Sequence, residues 1–462
     1  MPLSDLKTPP PAVQNAAELI ARLDQAFLGG FARLSAEHIA TLETLGRTFE
    51  GTPLGSAITQ AIAGISRSEF LDRHFLLIAA ARAALAGAQH DALLAQATAA
   101  LDRPAPALSN IAPGPAQAPR PEIAVWLEST RHWLMEIALA GFANLGVDTI
   151  LPFHATLSAI QAEARLARHA ALLGGFLDEL LAVFPARGTP EIPLGRWVDL
   201  WSRAMVLAAD VPPPLTTRPV SGTLRLLAAD LRQHATFASL TAFGVLREAG
   251  GAPPRIIRTA LSAFKVDVIQ GDELALLFGE VGPTLLEALV ATKELTLKEM
   301  PLTSTNDLVW DDARAKQGAK FSLIEEAAKS LSPPPAERPA LEPIDRHPAL
   351  IEELVYLTGY EASASDLHQI RIQGAALPVD HERWPDTKDL VPSDVAGSAG
   401  LIGLLRFDAG RWSLSPLVID KKKTSPRMIG TSLGEGRGLK SKMQSLATLK
   451  ERASKLLRKK TG

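Results

Sequence analysis

Acidic and histidine side chains gather between residues 366 and 382, where the sequence places Asp366, His368, Asp380, His381 and Glu382. Carboxylate and imidazole groups are the side chains that most often move protons in enzymes, and they also bind metals. The sequence predicts loops at both ends of this stretch, so these groups act together only if the fold brings the loops into contact. An enzyme with a loop-assembled Asp/His site is therefore one functional hypothesis.

A second chemical pattern is Gly430-Thr431-Ser432-Leu433-Gly434, which fits the G-x-S-x-G motif of a serine nucleophile. In hydrolases with this motif the base histidine follows the serine, whereas the last histidine of this chain is His381. A phosphate-binding loop needs a lysine directly after its last glycine, and a leucine intervenes here. We interpret Gly430–Gly438 as a flexible tether.

Metal and thiol chemistry have little support in the sequence. The chain contains no cysteine, which excludes thiolate catalysis and Cys-ligated zinc. His132 has Glu128 and Glu136 four residues away on either side, but the Glu-x-x-His pairs of a di-iron bundle do not occur. We predict helix-stabilising polar contacts at His132, and we predict no metal, no cofactor and no catalytic residue.

A group of carboxylates comprises Asp307, Asp311, Asp312, Glu325 and Glu326. Paired carboxylates carry out acid–base chemistry or bind divalent cations when a pocket holds them together. The sequence gives no sign of such a pocket. We therefore predict a solvated acidic turn.

The C-terminal tail carries the strongest charge asymmetry in the chain. Residues 420–462 contain thirteen Lys or Arg and three Asp or Glu, a net charge of +10; because the whole chain carries −2, the remainder carries −12. Apolar residues mark one helical face and basic residues crowd the rest, which predicts a basic amphipathic helix. The predicted partner-binding residues are Lys440, Lys442, Met443, Leu446, Lys450, Arg452, Lys455, Leu457, Arg458, Lys459 and Lys460.

Such a helix has several possible uses. It can dock on a partner protein or on the chain's own acidic part, bind the phosphates of a nucleic acid, or lie on an anionic membrane. The alternative is a tail that has no binding function and is simply exposed to solvent. The tail lacks the interleaved aromatic residues that stack on single-stranded bases, and it lacks the Trp and Phe anchors of a membrane-surface helix. Among the functional uses, protein docking is favoured.

The chain as a whole predicts a mixed α+β fold that is predominantly α-helical. Abundant alanine and few aromatic residues favour packed helices in the first half, and after Pro214 the hydrophobic period shortens toward that of strands. Proline-rich runs mark connectors. The predicted organisation is a helical region at 1–103, a Pro-rich linker at 104–121, a helical region with a Trp-containing hinge helix at 122–211, an α+β middle domain at 212–331, a Pro-rich linker at 332–343, a small α+β module at 344–429 and a Gly-tethered basic amphipathic tail helix at 430–462.

Some local predictions decide how these regions fit together. Trp197 and Trp201 share one face of the hinge helix, and we predict that they pack as an aromatic plug where the helical and mixed halves meet. Residues 223–246 fit a helix or strands, and clustered β-branched and aromatic residues favour strands. The other predictions are helices at 70–85, 91–101 and 349–357, strands at 369–372, 401–407 and 412–419, and a turn at 408–410.

Together these features favour a non-enzymatic accessory or scaffold subunit of an intracellular multi-protein assembly. Its warrant is the lack of a complete catalytic set, together with the Pro-rich connectors and the basic tail. A nucleic-acid-associated protein that binds phosphates through the tail is the alternative, and the Asp/His enzyme is a third. No apolar run reaches the roughly 20 residues of a membrane span, and no signal peptide opens the chain, so we expect a cytoplasmic protein. The oligomeric state is left open.

Overall fold

The computed structural model describes most of the chain, with helices in the first half and sheets in the second. The fold class is therefore the predicted mixed α+β fold with a helical N-terminal half. The described residues are 3–104, 120–183, 192–211, 216–233, 237–265, 269, 273–331, 341–363, 367–372, 374–381, 390–421 and 426–429.

The helical half packs around one apolar core. Leu19, Leu23 and Phe27 follow each other at four-residue spacing on the first helix, and all three are buried, as that spacing predicts. The helices are α1 (Pro11–Gly29), α2 (Ala36–Thr48), α3 (Gly55–Ser66), α4 (Asp72–Ala100), α5 (Pro121–Ala140), α6 (Val147–Ile150), α7 (Phe153–Gln161), α8 (Ala167–Val183) and α9 (Leu194–Leu207).

Helix α4 is longer than the sequence suggested. We expected separate helices at 70–85 and 91–101, and the structure has one helix of 29 residues. Gln89 and His90, which lie between the two predicted helices, are buried and hydrogen-bonded: the Gln89 side chain donates to the Val13 carbonyl, and His90 Nδ1 lies 3.0 Å from Asp91 Oδ1. Alanine-rich sequence continues the helix through this point.

Two glycines allow α1 and α5 to meet backbone against backbone. Gly30 (φ 89°, ψ 153°) and Gly141 (φ 80°, ψ 145°) both adopt a conformation that only glycine accepts readily. A Cβ on Gly141 would lie 2.3 Å from the Gly30 amide nitrogen. The close approach of the two helix ends therefore requires glycine at both positions.

The second half begins with a barrel-like sheet. Its strands run in the order β1-β2-β3-β5-β4-β6, and a further pairing of β1 with β4 closes the ring. Residues 223–233 lie in β1 and residues 237–246 lie in β2, so the strand prediction is confirmed for these residues. The elements are β1 (Thr217–Gln233), β2 (Phe237–Glu248), β3 (Arg255–Phe264), α10 (Leu274–Val281), α11 (Pro283–Ala291), β4 (Lys293–Thr303), β5 (Asp307–Leu308), β6 (Ala315–Lys320) and α12 (Leu323–Leu331).

Two smaller sheets follow, in the orders β10-β9-β8 and β13-β12-β11-β7. The predicted strands at 369–372, 401–407 and 412–419 are confirmed, and Ala409 and Gly410 form the predicted turn with positive φ. The elements are β7 (Glu352–Thr358), β8 (Glu361–Ala362), β9 (Gln369–Ile372), β10 (Ala375–Pro378), α13 (Pro392–Ala396), β11 (Gly400–Asp408), β12 (Arg411–Asp420) and β13 (Arg427–Met428).

The short helix predicted at 349–357 is wrong. A single 3-10 turn, Pro348–Leu350, is followed by strand β7, which pairs antiparallel with β11 along its whole length. Leu354, Val355 and Leu357 are buried in that sheet. A long-range partner strand outweighs the local preference here, which a short apolar run cannot reveal.

The buried side chains form two cores. One contains only residues of α1–α9 and their connections. The other joins all three sheets with α10–α13, and it also takes in Leu93, Ala97 and Ala100 from the second half of α4. Helix α4 thus contributes to both cores. How the chain divides into independent domains at the predicted boundaries stays a prediction.

Among the described residues, no single helix is long and apolar enough to cross a membrane. Helices α10 and α11 pass that test only as a pair, and they are bent by 120° relative to each other.

We expect Gly141→Ala to destabilise the protein by at least about 2 kcal/mol, because a Cβ at this position meets backbone and the conformation is strained. The matched control is Gly174→Ala in α8, where a Cβ meets nothing within 4 Å. That change should be neutral or should stabilise the helix by about 0.5–1 kcal/mol. Urea midpoints followed by circular dichroism measure both. Equal midpoints for the two variants would contradict the prediction.

Candidate functional site

The ring of strands is poorly closed between β3 and β4, and we call this region the barrel seam. Among the described strands, only the two-residue strand β5 bridges it, through the pairs Arg258↔Asp307 and Thr259↔Leu308. The chain then turns away, because the Val309 amide donates to the carbonyl of Pro301 on β4. Within the described residues, the residue pairs between β3 and β5 end at Thr259.

A cleft of about 460 Å³ lies at the barrel seam. It extends around the edge of β3, because residues from both faces of that strand line it. The lining residues are Thr241, Arg258, Thr259, Ala260, Leu261, Val281, Asp307, Leu308, Val309, Trp310 and Glu352.

Two apolar side chains that line this cleft, and Phe264 further along β3, are poorly covered. Phe264 at the end of β3 is 86% exposed, Val281 at the end of α10 is 48% exposed and Val309 is 44% exposed. The Phe264 ring lies edge to face with the ring of Phe237, with centroids 5.7 Å apart. Exposed apolar side chains that gather around a cleft are typical of an interaction surface.

The charged side chains in the wall of the cleft form ion pairs with one another and with their neighbours. Arg258 Nε donates to Asp307 Oδ1 (2.7 Å), and its guanidinium lies 3.8 Å from Glu352. Glu352 also lies 3.1 Å from the buried guanidinium of Arg406. Partial burial lowers the pKa of Arg258, but its carboxylate neighbours outweigh that effect and raise the pKa above the ordinary value. Because each of these charges has an opposite neighbour, the apolar rim and the strand edge are left to attract a ligand.

The predicted docking residues of the tail, from Lys440 to Lys460, lie outside the described residues. So do the tether Gly430–Gly438 and the G-x-S-x-G motif within it. Their role stays a prediction.

The structure brings together two of the predicted Asp/His residues. The rings of His368 and His381 lie edge to face with centroids 5.5 Å apart, and His381 Nε2–H donates to the Leu367 carbonyl (2.6 Å). Asp380 is turned toward Ser415, whose hydroxyl donates to its Oδ2 at 3.4 Å. Asp366 and Glu382 lie outside the described residues. Among the residues that are described, no group of three or more His, Asp or Glu side chains could hold a metal ion.

The solvated acidic turn predicted for these carboxylates is wrong for Asp312 and Glu326. Asp312 accepts hydrogen bonds from the Thr284 amide and hydroxyl at the start of α11. Glu326 is buried and paired with Arg225 and Arg247. Burial raises the pKa of Glu326, but these hydrogen bonds outweigh burial and lower the pKa below its ordinary value. Sequence alone does not reveal the distant arginines that make this burial possible.

The tryptophans of α9 are core residues, as predicted, but they do not join the two halves. Trp197 and Trp201 are buried in the helical core. Trp201 Nε1 donates to the Leu134 carbonyl (2.8 Å), and Trp197 Nε1 donates to Glu179 (3.2 Å). The predicted aromatic plug between the halves is therefore wrong, and the position of the plug is taken by charged residues.

We call these charged residues the polar junction. The buried Arg82 of α4 donates through Nε and Nη2 to both oxygens of Asp24 on α1 (2.8 and 3.0 Å) and through Nη1 to Asp199 on α9 (3.2 Å). His347, just before β7, lies 3.4 Å from Asp199 and accepts the Ala349 amide through Nδ1. Burial raises the pKa of Asp24 and lowers that of His347.

Sequence reasoning missed both the barrel seam and the polar junction. For the junction a signal existed, because Arg82 interrupts the apolar run 74–88 and a lone arginine in such a run implies a buried partner. For the seam no local signal existed, since its lining comes from β2, β3, β5, β7 and α10.

Comparison with protein-family models, with curated proteins and with solved structures finds no match to this chain. The functional argument therefore rests on the geometry.

We expect Arg82→Leu to destabilise the protein by about 3–5 kcal/mol, because it leaves the Asp24 carboxylate buried without its partner. Arg67→Leu is the matched control, since its pair with Glu69 is exposed to solvent on both sides. The control should retain the wild-type melting temperature. The melting temperatures of wild type, Arg82→Leu and Arg67→Leu test this prediction. If Arg82→Leu melts close to wild type, the polar junction does not hold the helices together.

Stability should also decline as the pH falls below about 6.5. Burial lowers the folded-state pKa of His347 and of His169, so on acidification the unfolded chain binds protons first. Above the ordinary histidine pKa both imidazoles are neutral in the folded and in the unfolded chain, so their low folded-state pKa does not reduce stability. His347→Gln removes one of them, so the variant should lose less stability than wild type between about pH 7.5 and about pH 5.5. Parallel melting curves of the two proteins across that range would contradict this assignment.

Proposed function

We propose that this chain is a non-enzymatic accessory or scaffold subunit of a cytoplasmic multi-protein assembly. The observation that carries the proposal is the barrel seam, where an unpaired strand edge lies beside the exposed side chains of Phe264, Val281 and Val309. Backbone hydrogen-bonding groups next to apolar side chains are the chemistry by which one polypeptide recognises another. The paired charges of the cleft wall favour this use over the binding of a small ion.

The basic tail supports the same proposal as a second docking element. Residues 430–462 carry nine Lys or Arg and two Asp or Glu, a net charge of +7, so residues 1–429 carry −9. The predicted basic helix, joined by the predicted glycine-rich tether, would reach an acidic groove on a partner at low entropic cost to the rest of the chain. The seam and the tail would then give the subunit two contacts.

Two further functions have an observation in their favour. The density of lysine and arginine in the tail favours nucleic acid as an alternative partner, with an affinity that falls linearly in log salt. The contact between His368 and His381 favours an enzyme with a loop-assembled Asp/His site. Neither the basic tail nor the histidine contact is associated with a described cleft, whereas the barrel seam is. We therefore favour protein docking.

The test is affinity capture from the native host with the full-length chain and with a chain that ends at Ile429, each with and without nuclease. Val281→Ser at the seam and Val125→Ser on α5 form a matched pair, because both valines are about half exposed and only one lies at the seam. We expect discrete partners that survive nuclease and diminish with Val281→Ser but not with Val125→Ser. Their loss on truncation at Ile429 would assign docking to the tail.

The opposite results are equally informative. Nucleic acid that is captured only by the full-length chain would replace this proposal with the alternative. Capture of no partner by any of the four proteins would contradict a scaffold role.

A further inference from the structure

The residues that precede β7 lie against the helical half, and we call residues 341–350 the strap. It contains two 3-10 turns, Pro343–Asp345 and Pro348–Leu350. A Cβ on Gly87 of α4 would lie 3.7 Å from the Cβ of Arg346, and Gly87 is buried. The strap therefore covers this face of α4.

Charged side chains hold the strap on three helices, α4, α8 and α9. None of its residues is fully buried, and its described backbone hydrogen bonds stay within the strap or reach only the adjacent Ile351. Its contact with the helices therefore depends mainly on charge. The ion pairs join Glu342 to Arg168 (3.2 Å), Asp345 to Arg168 and Arg203, Arg346 to Asp91 (3.3 Å), and His347 to Asp199 (3.4 Å).

These ion pairs are partly open to solvent. Their side chains are between 21% and 51% exposed, and ion pairs with such exposure stabilise a contact only weakly and are screened by salt. Strand β7, by contrast, is held by its antiparallel pairing with β11. The strap can therefore separate from the helices at a lower cost in free energy than unfolding of the sheets or of the helices.

His347 makes the strap sensitive to protons. Its Nδ1 accepts a hydrogen bond from the Ala349 amide (3.2 Å), so the neutral ring carries its hydrogen on Nε2, which lies toward Asp199. A proton on Nδ1 replaces this acceptor with a donor. Protonation of His347 therefore breaks the hydrogen bond that begins the second turn of the strap.

The surroundings of His347 do not favour the protonated ring. The groups that face it are Asp199 and Arg203 from α9, with Arg82 and His90 from α4. Asp199 attracts a proton to the ring, but this carboxylate already accepts a hydrogen bond from Arg82. Burial lowers the pKa of His347, the two arginines act in the same direction, and together they outweigh Asp199.

We propose that the strap is a latch that opens when the pH falls or the ionic strength rises, and that it uncovers the Gly87 face of α4 while both cores stay folded. Acid favours the open strap because His347 binds a proton more readily in water than in the closed position. Salt favours it because the ion pairs are screened. Opening also withdraws Asp345, whose negative charge acts on Arg258 in the wall of the cleft.

The latch does not depend on what binds at the barrel seam, and its test needs only the purified full-length chain. Hydrogen–deuterium exchange followed by mass spectrometry measures the protection of residues 341–350, corrected for the intrinsic exchange rate at each pH. We expect protection to fall about three- to tenfold between about pH 7.5 and about pH 5.5, which is the range open to one histidine with an ordinary pKa of about 6.5. Raising NaCl from about 0.05 M to about 1 M should lower it at least about threefold.

The buried part of α5, residues 127–138, separates opening of the strap from global unfolding. It should stay at least about 100-fold better protected than the strap at both pH values, because local opening leaves this core intact. Exchange of both segments at one common rate would mean that the strap does not open on its own.

Two histidine variants test the assignment to His347. His347→Gln cannot be protonated and should lose the pH dependence of strap protection while keeping its salt dependence. His154→Gln is the matched control, because His154 on α7 is exposed and distant in sequence from the strap. The control should keep the full pH dependence.

A disulfide can lock the latch. The chain has no cysteine of its own, and the 3.7 Å between the Cβ positions of residues 87 and 346 suits a disulfide. Gly87→Cys combined with Arg346→Cys should, when oxidised, keep strap protection independent of pH and salt; reduction should restore both dependences. Wild-type protection that ignores pH and salt, a pH dependence that survives His347→Gln, or an oxidised double variant that still loses protection would overturn the proposal.

Discussion

The buried guanidinium of Arg82 is the constraint on which the helical half depends. It fixes α4 against α1 through both oxygens of Asp24, and against α9 through Asp199. Removing such a charge from water costs several kcal/mol, and only close, multiple hydrogen bonds offset that cost. The geometry of the three helices is therefore specified by a polar contact, and the surrounding apolar core fills the space that this contact defines.

Through Asp199 the same network reaches the second half of the chain. His347 contacts Asp199, and strand β7 begins five residues later. One end of β7 places Glu352 in the wall of the barrel seam, where Arg258 and Arg406 neutralise it. Paired charges thus lie at both ends of residues 347–352, one group in the helical half and the other at the rim of the cleft, and the apolar edge of β3 is left as the distinctive surface.

Much of the architecture was predictable from hydrophobic period and turn residues, because these features are local. The β11–β12 hairpin with its Ala409-Gly410 turn and the core face of α1 followed from spacing and turn residues, and the strands β1 and β2 followed from their β-branched and aromatic residues. The failures involved partners distant in sequence. Strand β7 was mistaken for a helix because β11 supplies its ladder, and Glu326 was mistaken for a solvated residue because Arg225 and Arg247 lie far from it in the chain. The barrel seam was missed for the same reason, since five separate elements line it.

The division of α4 between two cores has a consequence for biosynthesis. The helical core is complete once the ribosome has made residue 208, but the face of α4 that carries Leu93, Ala97 and Ala100 must wait for strands that end near residue 429. At about 5–20 residues per second, this wait lasts about 10–40 s. During that time the nascent chain exposes this apolar face of α4 without the strands that later cover it, and such transient exposure favours aggregation.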